Sequence, residues 1–416
     1  MKLPKYSMGV GDRFAHQGVA QLDAMIMARD KGVSIAPVWN KSYREHSIVG
    51  TKPESVRTEA DAAVKARKWK DPYFVDADHI RLKTVDEFLE SSDFFTLDVA
   101  DDIGADPGSD AIAQFMAKHK KLVGRLDIAG IDKALEITEA LVAGAARKFL
   151  AAVREAGRIW QRIEAVKGAD AVVIEVSMDE TDKPQTPAEL LVILAAVADE
   201  AIPAQTIAPR FTGEFLKGVD YVGQVKQFCK EFDEDLAVIA YAIRQFGLPD
   251  NLKLSVHSGS DKFSIYRPMH QSLKKFNAGV HLKTAGTTWL EELIGLAAAG
   301  GDGLVIAKEI YAQALSRIDE LCAPYASVVK IDRSALPSPK TVDAWDATTF
   351  ASALRHDQSC KMYNSNLRQL LHVGYKLAAE MGARYTAALE KHEPVVAANV
   401  TENIYKRHIC PLFLGE

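Results

Sequence analysis

Short apolar or β-branched runs alternate along this chain with longer stretches of helical periodicity. The runs are SMGVGDR (Ser7 to Arg13), VSIAPVWNK (Val33 to Lys41), YFVDADH (Tyr73 to His79), FFTLDVAD (Phe94 to Asp101), AVVIEVS (Ala171 to Ser177), AQTIAPR (Ala204 to Arg210), LKLSVHS (Leu252 to Ser258) and GVHLKT (Gly279 to Thr284). Between them lie segments of helical pattern, including VAQLDAMIMARDKG, VRTEADAAVKARKW, TVDEFLES, TPAELLVILAAVADEA and YVGQVKQFCKEFDEDLAVIAYAIRQF. Thr186-Pro187 reads as an N-cap followed by proline at the first helical position. The connection between the seventh and eighth runs is short, and RPMHQSLKKF is its helical candidate.

Strand–helix alternation predicts a mostly parallel sheet covered by helices. Eight such units predict an α/β fold closed into a (β/α)8 TIM-type barrel, with an open doubly wound sheet as the alternative. Residues 102–170 are too many for one helix and predict an insertion of two or three helices after the fourth strand. Residues 1–300 then make the barrel with that insertion, and residues 301–416 a C-terminal helical extension packed on it.

Closure gives the polar ends of the runs a meaning, because strand ends of such barrels gather at one mouth. They supply Asp12 and Arg13; Asn40 and Lys41; Asp76, Asp78 and His79; Asp98; Glu175; Arg210; His257 with Asp261 and Lys262; and His281 with Lys283. His257 and His281 come from neighbouring strands. With Glu175 from across the mouth they make a three-ligand divalent site suited to zinc, manganese, nickel or iron. Taken singly, each histidine reads as a hydrogen-bonded wall residue.

The period of two puts Asp76 and Asp78 on one face, with His79 just beyond. Asp78 or His79 is then a metal ligand or a proton carrier, against the plainer reading of a helix-capping aspartate. Asp98, buried by context, is a candidate general base, with a structural salt bridge as the alternative. Arg13, Lys41, Arg210, Lys262 and Lys283 exceed what a metal site needs and suggest an anionic substrate, a sugar acid or a phosphate ester. They are otherwise partners for the acidic residues. Neither glycine cluster has nucleotide-loop spacing, so no nucleotide cofactor is expected.

Composition narrows the classes further. Lys+Arg of 51 against Asp+Glu of 56 gives a net charge of −5, so nothing points to nucleic acid or an anionic membrane as partner. No window approaches the ~20 apolar residues of a membrane span, and the start MKLPKYSMGVGDRF lacks a signal peptide's apolar run. The four cysteines are scattered without a CxxC pair, which fits a reducing cytoplasm. The expectation is a soluble cytoplasmic enzyme; a homo-oligomer is compatible with it.

The segments GVGDRF, PVWNKSYREHSIVGT, YFVDADHI, SDFFTLDVADDIG, LSVHSGSDKFSIY, VHLKTAGTTWLEE and LRQLLHVGYKLAAEMG resemble the tagaturonate epimerase family of hexuronate catabolism. The resemblance runs from Gly9 to about Gly382, is dense in the first hundred residues and around His257, and is weak between Asp102 and Asp170. Some members carry a further segment before the GxGDR motif; here the first strand begins almost at once, and what that segment does is expected to be absent.

The resemblance implies a metal-dependent interconversion of D-tagaturonate and D-fructuronate, which differ at one hydroxyl-bearing carbon two bonds from the ketone. Enolisation cannot invert that carbon, whereas retro-aldol opening, rotation of the aldehyde and re-addition can. On this reading Glu175, His257 and His281 hold the metal, and Asp98 with Asp78 or His79 moves the proton. Arg13, Lys41, Arg210 and Lys262, with Asp12, Asn40 and Lys283, contact the substrate. Lys283 is alternatively a Schiff-base amine. A metal-dependent aldolase or sugar-acid isomerase would use nearly the same mouth, and a catalytically silent sensor barrel is the reading from another class.

Overall fold

The computed structural model of the chain describes residues 1–179, 181–284 and 286–416. Each of the eight runs forms a strand: β1 (Tyr6–Gly11), β2 (Ala36–Ser42), β3 (Phe74–Ile80), β4 (Phe94–Asp98), β5 (Val173–Met178), β6 (Ala204–Pro209), β7 (Lys253–Val256) and β8 (Val280–Lys283). All pair in parallel in chain order, and β8 returns to β1 through Tyr6↔Val280 to Gly9↔Lys283. The barrel is closed, so the open-sheet alternative falls.

Alternation decides what lies inside. On β5, Glu175 and Ser177 face the barrel interior with Val173, while Ile174, Val176 and Met178 join the apolar layer under the helices. Leu3, Ala36, Val38, Phe74, Phe94 and Val173 form a small separate cluster that plugs one end of the barrel. Beyond this plug the interior becomes polar: Ser7, Thr96, Glu175, Thr206, Ser255 and His281 are fully buried. Buried polar groups must find partners, and this layer is where the site is built.

The helix Pro187–Asp199 begins as its sequence dictates. The Thr186 hydroxyl accepts from the Glu189 N–H, and the Glu189 carboxylate closes the capping box on the Thr186 N–H. RPMHQSLKKF lies within a full helix, Phe263–Phe276. TVDEFLES is a correction: only Val85–Glu87 makes a 3-10 turn. Its few residues bury Val85 and Phe88 under the barrel but are too few to repay helix nucleation. The insertion holds a helix (Ser109–Lys118), an antiparallel hairpin (Gly124–Leu126 with Leu135–Ile137) and a 29-residue helix (Glu139–Lys167). The hairpin was not legible, since three-residue strands carry no periodicity.

After β8 the apolar helix Thr287–Ala299 seeds a second core with helices of the extension, among them Gly301–Ser316 and Ser365–Val373. Phe14, from the loop after β1, reaches this core and packs on Trp289 and Tyr385. The extension therefore stands over the end of the barrel where the β1 loop lies. The closing π-type segment Asn403–Leu414 returns to the barrel core through Ile404, Ile409, Leu412 and Phe413.

Candidate active site

At the centre of the barrel sits the Lys283 ammonium. It lies 2.8 Å from Asp76, 2.6 Å from Asp78 and 3.1 Å from Glu175, and donates to the Thr96 hydroxyl at 2.5 Å. Burial alone would lower its pKa, but Asp76, Asp78 and Glu175 outweigh it and raise Lys283 well above an ordinary lysine. The ammonium form is thereby favoured over the free amine. Burial opposes ionisation of Asp78 and Glu175 too, yet Lys283 and the neighbouring histidines hold both carboxyls well below their usual range. Asp76 behaves oppositely: burial, with Asp78 and Glu175 nearby, pushes it up despite Lys283.

Above this layer the structure gathers His79, Asp179 and His257. Their ligand atoms lie within 4.8 Å of one another, and this is the one such group of three among the described residues. His257 is fixed from behind: its Nε2 meets Glu175 Oε1 at 2.7 Å, and the other Glu175 oxygen accepts from Thr206 at 2.7 Å. Its buried Nδ1 lies 3.2 Å from Asp179 Oδ1 but has no aligned hydrogen-bond partner. Burial disfavours the imidazolium, but the Asp179 and Glu175 charges raise His257 to about 10. Burial likewise works against the Asp179 carboxylate, and His257 and His79 overcome it and hold the group low.

The site thus favours positive charge. An unpartnered imidazole nitrogen, a second imidazole and a carboxylate are a donor set that fits a divalent transition-metal ion. The Glu175 contact behind His257 is the orienting partner that metal-bound imidazoles use.

His79 reaches this group through a backbone irregularity. The β3–β4 register shifts between Ala77 and Ile80, and His79 has φ of 54°. A regular strand would turn His79 outward. The bulge turns its ring to the mouth, 5.0 Å from the His257 ring, and its Nδ1 meets Asp78 Oδ1 at 2.9 Å. Asp179 is a residue that strand reading missed, although it continues the inward series Glu175, Ser177. The Ser177 hydroxyl holds it at 2.6 Å.

The other expected site residues fall into distinct places. His281 lies deeper, with Nδ1 3.0 Å from the Ser7 hydroxyl, its ring against Phe94 and its Nε2 without a partner. It is outside the His79–Asp179–His257 group. Asp98 pairs with Arg81 at 2.9 Å and accepts from the Ala100 N–H; in register it stands beside Ser177. Asn40 is buried in the interior with neither amide atom partnered. Arg210 continues the inward face of β6, with Nη1 3.5 Å from the Asp179 carbonyl.

Four residues are engaged, wholly or, for Arg13, in part, by the protein itself. Asp12 spends both carboxylate oxygens on the N–H groups of Phe14, Ala15, His16 and Gln17. Lys41 faces outward from β2 and donates to the Arg13 carbonyl at 2.6 Å and to Thr51 at 2.8 Å. Arg13 pairs with Glu45 at 2.8 Å. Lys262 is fully buried, and its three donors go to the carbonyls of Leu216, Val219 and Ser260. It therefore shapes the loop after β6 and has no donor left for a ligand.

A closed parallel barrel with carboxylates, imidazoles and a caged ammonium at one mouth defines an acid–base enzyme of the (β/α)8 class. The sequence pattern of the tagaturonate epimerase family matches residues 1–409, and the chain belongs to that family. It is 25% identical over 420 residues to the tagaturonate/fructuronate epimerase of Thermotoga maritima, covering 97% of this chain and 80% of that protein. The fold matches crystal structures of the fructuronate-tagaturonate epimerase of Cohnella laeviribosi. The form with one glycerol bound gives a TM-score of 0.80 at 24% identity, over 98% of this chain and 81% of that one. The native form gives 0.78 over the same shares. Family membership makes the chain an epimerase, hence an isomerase. Among the described residues no helix is long and apolar enough to cross a membrane.

Proposed function

We propose that the protein interconverts D-tagaturonate and D-fructuronate, that it needs a divalent metal ion to do so, and that His79, Asp179 and His257 hold that ion. The observation that carries the reading is the convergence of these three side chains at the barrel mouth of a tagaturonate epimerase family member. A bound divalent ion supplies Lewis acidity to the ketone and its neighbouring hydroxyl oxygen. The set expected from strand ends alone, Glu175, His257 and His281, shares only His257 with this group. Glu175 serves instead to fix the His257 ring.

The protein's own residues divide the remaining work. Asp98, level with the ligand-bearing strand ends, takes the proton from the hydroxyl on the carbon to be inverted. The bond between that carbon and its neighbour on the ketone side breaks, leaving an aldehyde that carries the carboxylate and a three-carbon enediolate. The aldehyde turns its other face, the carbon–carbon bond re-forms, and the proton returns from Asp98 to the new hydroxyl. Lys283 keeps Asp78 and Glu175 ionised throughout. Since three carboxylates hold it protonated, a Schiff-base route is disfavoured. Four unpaired cysteines support a cytoplasmic setting.

The test is incubation of the purified protein with each keto acid, following the ratio of the two by NMR, with and without a chelator. The expected result is conversion in both directions without loss of carbon count, abolished by chelation and restored by a divalent ion. Asp179→Asn and His79→Gln should lose both bound metal and turnover. Release of two fragments would identify an aldolase, and no conversion under any divalent ion would sink the proposal.

A further inference from the structure

One basic cluster at the mouth is not used by the chemistry above. Arg13 has its guanidinium over the Tyr375 ring at 4.0 Å, its Nε on Glu45, and a buried Nη1 without a partner. His372, in the extension's helix Ser365–Val373, is 3% exposed, and neither ring nitrogen has a partner. Its ring lies against two mouth-loop glycines. A Cβ on Gly286, after β8, would fall 1.9 Å from His372 Nε2, and one on Gly218, after β6, would fall 3.4 Å from its Cδ2. Lys217, next to Gly218, donates its Nζ to the Ser258 hydroxyl at 2.9 Å and its backbone N–H to the Val328 carbonyl of the extension.

These groups are electrostatic neighbours. Burial, then Arg13 and Lys217, press His372 well below an ordinary histidine, and burial and Arg13 lower Lys217. Among the described residues Glu45 is the one carboxylate within ion-pair distance of the three. Glu45 answers the charge of Arg13 and leaves that of Lys217 without a counter-ion. Two cations and a neutral imidazole, with unpartnered donors on Arg13 and His372, form a setting that lacks one anion.

We propose that Arg13, Lys217 and His372 form the subsite for the substrate carboxylate, so that the C-terminal extension supplies part of the active site. The inference rests on the sugar-acid substrate proposed above and assigns two residues that strand-end reading did not reach. It gives Lys262 its purpose: the caged ammonium fixes the 216–219 loop from which Lys217 projects. A carboxylate anchored here also retains the aldehyde fragment while its reacting end turns over.

The test uses D-gluconate, a six-carbon acid with no ketone to cleave, and D-glucitol, its counterpart with an alcohol in place of the carboxylate, in calorimetric titrations. Wild-type protein should bind gluconate more tightly than glucitol. Lys217→Met and His372→Ala should each weaken gluconate by about tenfold or more, the worth of a charge-assisted hydrogen bond, and leave glucitol unchanged. Lys217→Arg should retain most of the affinity. The proposal is overturned if wild type binds no gluconate, if it binds glucitol as tightly, or if both variants bind gluconate as wild type does. Gluconate binding that follows this pattern in a protein that converts neither keto acid would sink the proposed reaction and leave the subsite standing.

Discussion

Replacing Lys283 by methionine removes the cation on which the barrel interior is organised, while keeping most of the side-chain volume. The ammonium lies within 2.6–3.1 Å of three carboxylates. At an effective dielectric of about 20, each such pair is worth roughly 5–6 kcal/mol before desolvation and carboxylate repulsion are subtracted. Deleting one member of a buried ionic group typically costs about 3–5 kcal/mol net. The lower half of that range is expected here, because Asp76 is already pushed towards its neutral form and takes up a proton when the cation goes. Urea unfolding at pH 7, followed by tryptophan fluorescence, measures the loss. Adding Asp76→Asn to Lys283→Met should recover about 1 kcal/mol or more, since the two sites are in contact and not additive. A Lys283→Met protein within about 1 kcal/mol of wild type would refute the reasoning, because three buried carboxylates without a counter-charge could not be that cheap to hold.

Other consequences are quickly checked. Burial lowers both Lys253 and Lys262 to about 7. Between pH 7 and the ordinary lysine value near 10.5 the unfolded chain holds protons that these two lysines have released in the folded chain. Their contribution to stability therefore rises with pH across that window, against the opposite contribution of His257 up to about pH 10. Lys253→Met should remove part of this contribution from urea midpoints taken at successive pH values; an unchanged slope contradicts it. Thr186→Ala opens the capping box of Pro187–Asp199 and should cost about 1 kcal/mol in the same unfolding assay. Gly286→Ala drives a methyl into the His372 ring and should destabilise by about 1–3 kcal/mol. In a His372→Ala background the same change should be nearly neutral, and equal costs in both backgrounds would show that the ring is not the obstacle.

The barrel was legible because every strand announces itself by an apolar run and every run ends in chemistry. Glu175 and His257 stand where the inward period puts them, 2.7 Å apart. The period alone did not settle His79. It stood among the strand-end candidates as a metal ligand or proton carrier, but the bulge and positive φ that turn it into the mouth are carried by no residue pattern. Asp179 lay two positions beyond the apparent strand end, and extending the alternation would have found it. Lys41 and Lys262 looked like mouth cations. One faces outward, and the other is caged by three carbonyls. Lys217 and His372 sit on a loop and an extension whose placement depends on tertiary packing across more than a hundred residues, which no local pattern encodes.

Where a metal ion binds decides whether His79, Asp179 and His257 form the working centre. Crystals soaked in zinc, with diffraction recorded on both sides of the zinc edge, locate it directly. One anomalous peak is expected at the barrel mouth, about 2.0–2.2 Å from a nitrogen of His79, a nitrogen of His257 and an Asp179 oxygen. A peak held by Glu175 and His281 in the deeper layer, or no peak between the three named side chains, would contradict it.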